Sequence, residues 1–165
     1  MIDFAVIDFS YPESNPENAY KVGLVVVCGG QIIQEFQSYI KLSNPLDESI
    51  SMDIKNKCTF APPFSLIERV IGDIVLNIPF VSCNPDVVKK IFELEHSKIG
   101  VPIPPSIKNI INPCEITGLS FDENCKMFGI EPLEQTNLID KIFDCAFLYK
   151  VMLEEYLDIQ KKELD

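Results

Sequence analysis

The chain opens with an unbroken apolar run, Phe4-Ala5-Val6-Ile7, that stops at Asp8. A short continuous run without alternation predicts a strand over residues 2–8 that is covered on both faces. The next nine residues, SYPESNPEN from Ser10 to Asn18, are rich in Pro, Asn and Ser and predict a loop. Two β-rich runs follow, AYKVGLVVVC and QIIQEFQSYIKL, separated by Gly29-Gly30. That pairing predicts a hairpin, with Ile32, Gln34 and Phe36 on one face at period two.

From Ser43 to Lys57 polar residues follow one another without a period, so the stretch is expected to be irregular. PPFSLIERVIGDIV then places Phe64, Ile67, Val70, Ile71 and Ile74 on one helical face, with Pro62 and Pro63 near a first turn that tolerates proline. IPFVSC reads as a short central strand, and Asn84-Pro85 start a helix that closes at Gly100. VPIPPS is a rigid connector, IKNIINPCEIT a further strand, and SFDENCKMFGI a short helix capped by Ser120 with Glu123 three residues on. The last element, from about Leu138 to Lys161, is an amphipathic helix carrying Ile142, Cys145, Ala146, Tyr149, Val151 and Leu153. The order predicts an α/β domain over residues 1–165: a mixed central sheet of about five strands with an antiparallel hairpin, flanked by helices.

Composition adds limits. Hydrophobic residues make up 47% and charged residues 24% of 165, as in a soluble globular protein. No apolar run approaches the roughly 20 residues of a membrane span, and the N-terminus lacks a signal peptide's basic start. The expectation is a cytoplasmic protein with no membrane partner. The six cysteines form no C-x-x-C pair and are expected to be reduced. The single histidine, His96, lies in a charged stretch and is expected at the surface. A net charge of −11 counts against a dedicated nucleic-acid binder. It leaves room for an enzyme that holds a few nucleotides beside metal ions, which bring their own positive charge.

Asp8 closes the first strand within Ile7-Asp8-Phe9-Ser10-Tyr11, and VGLVVV follows from Val22. CNPDVVKKIFELEHSKIGVPIP comes later, and IDKIFDCA opens the final helix. In order and spacing these motifs resemble those of the DnaQ-like 3′–5′ exonuclease superfamily, of the DNA polymerase III epsilon-subunit type, with its ribonuclease H-like fold. The resemblance covers residues 2–155. Against the family's I-D-x-E-T, H-N-x-x-F-D and H-x-A-x-x-D-A, the chain keeps Asp8, Asn84 and Asp144. Ser10 stands for the glutamate, Val88 for the second aspartate and Ile139 for the histidine. The family's H-G-I-T element has no counterpart between Ser43 and Ala61.

The resemblance implies a site in which four carboxylates hold two divalent ions about 4 Å apart and a histidine takes the proton of the attacking water. Asp8 and Asp144 are the two catalytic and metal-ligand positions retained, enough for one weak Mg²⁺ or Mn²⁺ site and half the charge that a pair needs. Glu13, Asp86 and Asp140 are neighbouring carboxylates that could substitute. Phe9 and Tyr11 are candidates to stack on bases or to pack beneath the loop, and Asn84 is a candidate substrate contact. Two functions follow. One is a degenerate, inactive or very weak exonuclease domain retained to bind single-stranded DNA or RNA 3′ ends or a protein partner. The other is an active 3′–5′ exonuclease or oligonucleotidase with a compensated carboxylate site. An oligomeric scaffold, such as a homodimer, is a third.

Overall fold

The computed structural model describes residues 2–75, 77–134 and 137–164, with side chains to residue 159. Four strands, β1 (Phe4–Ser10), β2 (Lys21–Cys28), β3 (Gln31–Tyr39) and β4 (Phe80–Val81), lie in the order β3-β2-β1-β4. β1 is antiparallel to β2 and parallel to β4, and β3 closes the antiparallel hairpin. Gly29 and Gly30 turn that hairpin at φ 58° and 76°, where a side chain would be strained.

Alternation along β1 and β2 sorts their apolar residues into two cores. Ala5, Ile7, Phe9, Val22, Leu24 and Val26 face one side. There they pack on α2 (Phe64–Val75), α3 (Pro85–Ser97) and α4 (Pro105–Lys108). Phe4, Val6, Val25 and Val27 face the other, where α7 (Leu138–Leu164) lays Leu138, Ile142, Cys145, Ala146 and Tyr149 across them. Gly23 on β2 is the seat of that helix. A Cβ there would come within 2.5 Å of Ile142 Cδ1, so glycine sets how closely α7 approaches the sheet.

Three expectations are corrected. Among the described residues the sheet has four strands, since residues 107–117 give only one parallel bridge, Val81 to Ile111. Ile111 N–H donates to Phe80 O, and Ile111 O accepts from Ser82 N–H. Proline limits the run on both sides, starting α4 at Pro105 and α5 (Pro113–Thr117) at Pro113, where no strand donor is available. The Ser43–Lys57 stretch is not wholly irregular, because α1 (Met52–Thr59) forms behind a Ser51 cap. It buries only Cys58, which is why no apolar stripe announced it. His96 is buried rather than at the surface, its ring nitrogens 2.7 Å from Glu68 Oε1 and 2.9 Å from the Pro102 carbonyl. The capping box at α6 (Phe121–Met127) forms as expected between Ser120 and Glu123.

Candidate functional site

Asp8 sits near the C-terminal end of β1, opposite Gly23 of β2. Its Oδ1 accepts the Phe9 N–H at 2.8 Å. Burial pushes its carboxyl up to about 6, against the lowering effect of that N–H and of the nearby Lys141 ammonium. The side chain opens on a cavity of about 240 Å³ shared with Cys83, Asn84, Phe121, Lys141 and Cys145. A second cavity of about 350 Å³ shares Asp8, Asn84 and Lys141 with the first and adds Ser10, Tyr11, Glu13 and Asn137. Together they form one polar cleft between the end of β1, the start of α3 and the first turns of α7.

The expected site residues divide. Ser10, Tyr11 and Asn84 line the cleft with Asp8, and Asn84 Nδ2 donates to Tyr11 Oη at 3.0 Å. Asn84 precedes the first turn of α3, yet its side chain does not cap that helix. Phe9 also borders the outer cavity, but its ring packs on the opposite face of the sheet, its centroid 6.1 Å from those of Phe64 and Phe92. Strand alternation puts it there with Ala5 and Ile7, so its ring is closed to a base in this conformation. Val88 is fully buried in the same core, and Ile139 packs against the α7 core. Glu13 lines the outer cleft, Asp86 is exposed in the first turn of α3, and Asp140 accepts from Asn137 Nδ2.

Asp144 does not join Asp8. It is buried on another side of α7, accepting the Leu133 N–H at 3.0 Å and lining a different cavity with Val27 and Phe147. The α7 side chains that line the inner cavity with Asp8 are Lys141, Ile142 and Cys145. A helix turns about 100° per residue, so the step from 145 to 144 carries the carboxylate out of the cleft. Sequence reasoning missed Lys141 and Cys145 as cleft residues. The signal was present, since Ile142, Cys145, Ala146 and Tyr149 already marked the inward stripe and Asp144 lies off it.

A divalent pair does not fit these donors. Among the described residues no three His, Cys, Asp or Glu side chains are placed to hold a metal ion. The inner cavity offers one carboxylate, a neighbouring ammonium, and the Cys145 thiol, which burial holds well above its usual range and therefore protonated. Hard oxygen-seeking cations are poorly served by that set.

No family model matches the sequence, and no curated protein matches it. Solved structures do match. The nuclease domain of 3′hExo, a DEDDh family member bound to rAMP, superposes with a TM-score of 0.75, covering 93% of this chain and 92% of that one at 14% identity. The fold is that of the DnaQ-like 3′–5′ exonucleases. A 3′-exonuclease recognising the histone mRNA stem-loop gives 0.74 at 15% identity over 93% of this chain, which spans 64% of that longer one. Exonuclease X, in complex with 5′-overhanging duplex DNA, gives 0.60 at 15% identity over 92% of each. At these identities the DnaQ-like likeness is one of fold, and the chemistry rests on the cleft.

Proposed function

We propose that this chain is a non-hydrolysing exonuclease-fold domain that takes an end of single-stranded nucleic acid in the cleft beside Asp8. The observation that carries this reading is the inner cavity's single carboxylate, Asp8, near Lys141, with Glu13 only in the outer cavity, so that among the described residues no three donors converge on a metal ion. A donor set too sparse to hold a pair of divalent ions would leave the cleft without the clamp on attacking and leaving oxygens that is the main source of rate in phosphodiester hydrolysis. It keeps groups that hold a polar end: the Asn84 amide, the Tyr11 and Ser10 hydroxyls, and one ammonium. The likeness to proteins whose structures hold rAMP, a histone mRNA stem-loop or overhanging DNA supports an end of nucleic acid as the occupant.

Only one lysine lines the cleft and the chain carries −11, so binding is weak and responds little to salt. One phosphate contact on a single strand gives a slope of about −0.7 in log K against log salt. The test is end-labelled single-stranded DNA and RNA incubated with Mg²⁺ or Mn²⁺, comparing wild type with Asp8→Ala. The expected result is no shortening by either protein at high concentration, with retention of the strand by wild type and weaker retention by Lys141→Glu. Shortening from the 3′ end by wild type, lost in Asp8→Ala, would overturn the reading in favour of an active exonuclease.

A further inference from the structure

We propose that the groove between α7 and the uncovered face of β3 is the docking site for a basic amphipathic helix of a protein partner. This goes beyond the cleft and does not depend on it. α7 lies over β1 and β2, whose residues Phe4, Val6, Val25 and Val27 it covers. The β3 residues on that same face, Ile32 opposite Val27 and Glu35 opposite Val25, stand clear of it, with Ile32 51% exposed. A register irregularity between Val26 and Val27 turns Ile32 away from the face of Gln34 and Phe36 on which period two puts it. An apolar sheet face is normally buried against another layer, and among the described residues none covers this strand's width.

Beside that bare strand lies a cavity of about 570 Å³ walled by Val27, Ile32, Ile130, Leu133, Phe143 and Phe147. Its size falls in the range of binding clefts, and its walls are mainly apolar. Leu133 and Phe147 are 51% and 52% exposed, so large apolar groups stand at its rim without partners covering them. The floor runs between a helix and a strand face rather than along the outer backbone edge of β3. That shape takes the side chains of a second helix laid beside α7, at the usual 8–10 Å between axes, and gives an added strand nothing to pair with.

Charge selects the occupant. Glu131 lines the groove at its exposed rim and Glu35 stands exposed on the strand beside it, while Asp144 lies buried beneath them, accepting the Leu133 N–H. The one lysine in the walls, Lys150, already faces Glu154 at 3.8 Å. A second copy of this chain would bring another −11 to the same acidic rim, whereas a Lys- or Arg-rich helix meets it with opposite charge. The apolar stripe of such a helix fills the groove and its basic flanks reach the carboxylates.

The probe is a fluorescein-labelled 14-residue Leu/Lys peptide with leucines at helical i, i+3, i+4 and i+7 spacing, titrated into the full chain by anisotropy. Binding is expected, with at least tenfold loss in Phe147→Ser and, on the opposite wall, Ile32→Ser. Neither change alters the charge, so a loss cannot be put down to bulk attraction. Both sites are half-exposed, so the variants are expected to melt with wild type, which circular dichroism checks. Ile116→Ser, an exposed apolar residue on α5, should bind as wild type. A peptide with its leucines changed to serine, or its lysines to glutamate, should bind at least tenfold more weakly. Equal binding by Phe147→Ser, Ile32→Ser and wild type overturns the proposal, as does equal binding of the Leu/Glu peptide or no binding at all. A dimer in sedimentation velocity that Phe147→Ser dissolves also overturns it, because a second copy would then be the occupant.

Discussion

Asp144 and Cys145 are adjacent in sequence and open on different cavities. The Cys145 side of α7 faces Asp8 in a polar cleft of two small cavities, while the Asp144 side faces an apolar groove of about 570 Å³. The first side holds Asp8 and Lys141 in its inner cavity and adds Glu13 in its outer one. The second is walled mainly by apolar side chains, and half-exposed aromatic and aliphatic groups stand at its rim. One helix thus separates a polar cleft from an apolar groove. The difference locates function by what each surface contains rather than by what the fold is known for.

The largest effect is expected where the two sides share a support. Ile142 is fully buried and its Cδ1 presses on Gly23, so it seats α7 for both cavities. Ile142→Ala should cost about 2–5 kcal/mol in urea unfolding, from lost burial and the cavity left behind. It should weaken oligonucleotide and peptide binding together. If only one weakens, the two sides do not depend on a common seat.

Next comes Asp8 itself. Its carboxyl is raised from an ordinary 3.8 to about 6, chiefly by burial, so the folded protein holds a proton there that the unfolded chain has released. The folded state therefore binds more protons between about pH 4 and 6, and stability falls as pH rises through that window. Two units at about 1.4 kcal/mol each put the cost near 3 kcal/mol above pH 7. Asp8→Asn keeps an oxygen to accept the Phe9 N–H and removes the charge. It should raise the melting temperature at pH 8 in chelator and leave it unchanged near pH 4. Equal stabilisation at both pH values would mean that the buried charge is not the cause.

The sequence made the element order legible because strand and helix periods are strong here: the hairpin glycines, the α7 stripe and the Ser120 box all appear where their patterns put them. The site was legible only up to Asp8. Its first-strand position is fixed by alternation, which also sends Phe9 to the opposite face. α7 was harder, because motif spacing chose Asp144 while helical phase chose Cys145, and only phase sets which way a side chain points. The buried His96 was hidden for a related reason. Its charged neighbours on α3 suggest solvent, but its partners Glu68 and Pro102 come from α2 and from the connector after α3.

Asp144→Ala sharpens the phase argument. It removes the acceptor of the Leu133 N–H, a bond of 3.0 Å beneath the groove, and should cost about 1–3 kcal/mol. Oligonucleotide retention in the cleft should not change, since Asp144 lines neither of its cavities. Loss of retention without loss of fold would place Asp144 with Asp8 after all and break the comparison between the two sides.

The smallest stability effect belongs to the residue that the groove most depends on. Phe147 is 52% exposed and lies one turn beyond Phe143 along α7, at the mouth of the groove. A side chain already half in water has little burial to lose, so Phe147→Ser should shift unfolding by within about 0.5 kcal/mol, as surface changes usually do. Serine is a poorer helix former than alanine, though not by more than that range in one position. A near-zero change would show that the aromatic ring does not hold the monomer together, in contrast to Ile142 on the buried face of the same helix. A loss of several kcal/mol would mean that the ring packs inside the protein, and the apolar wall would then be core rather than a surface awaiting a partner.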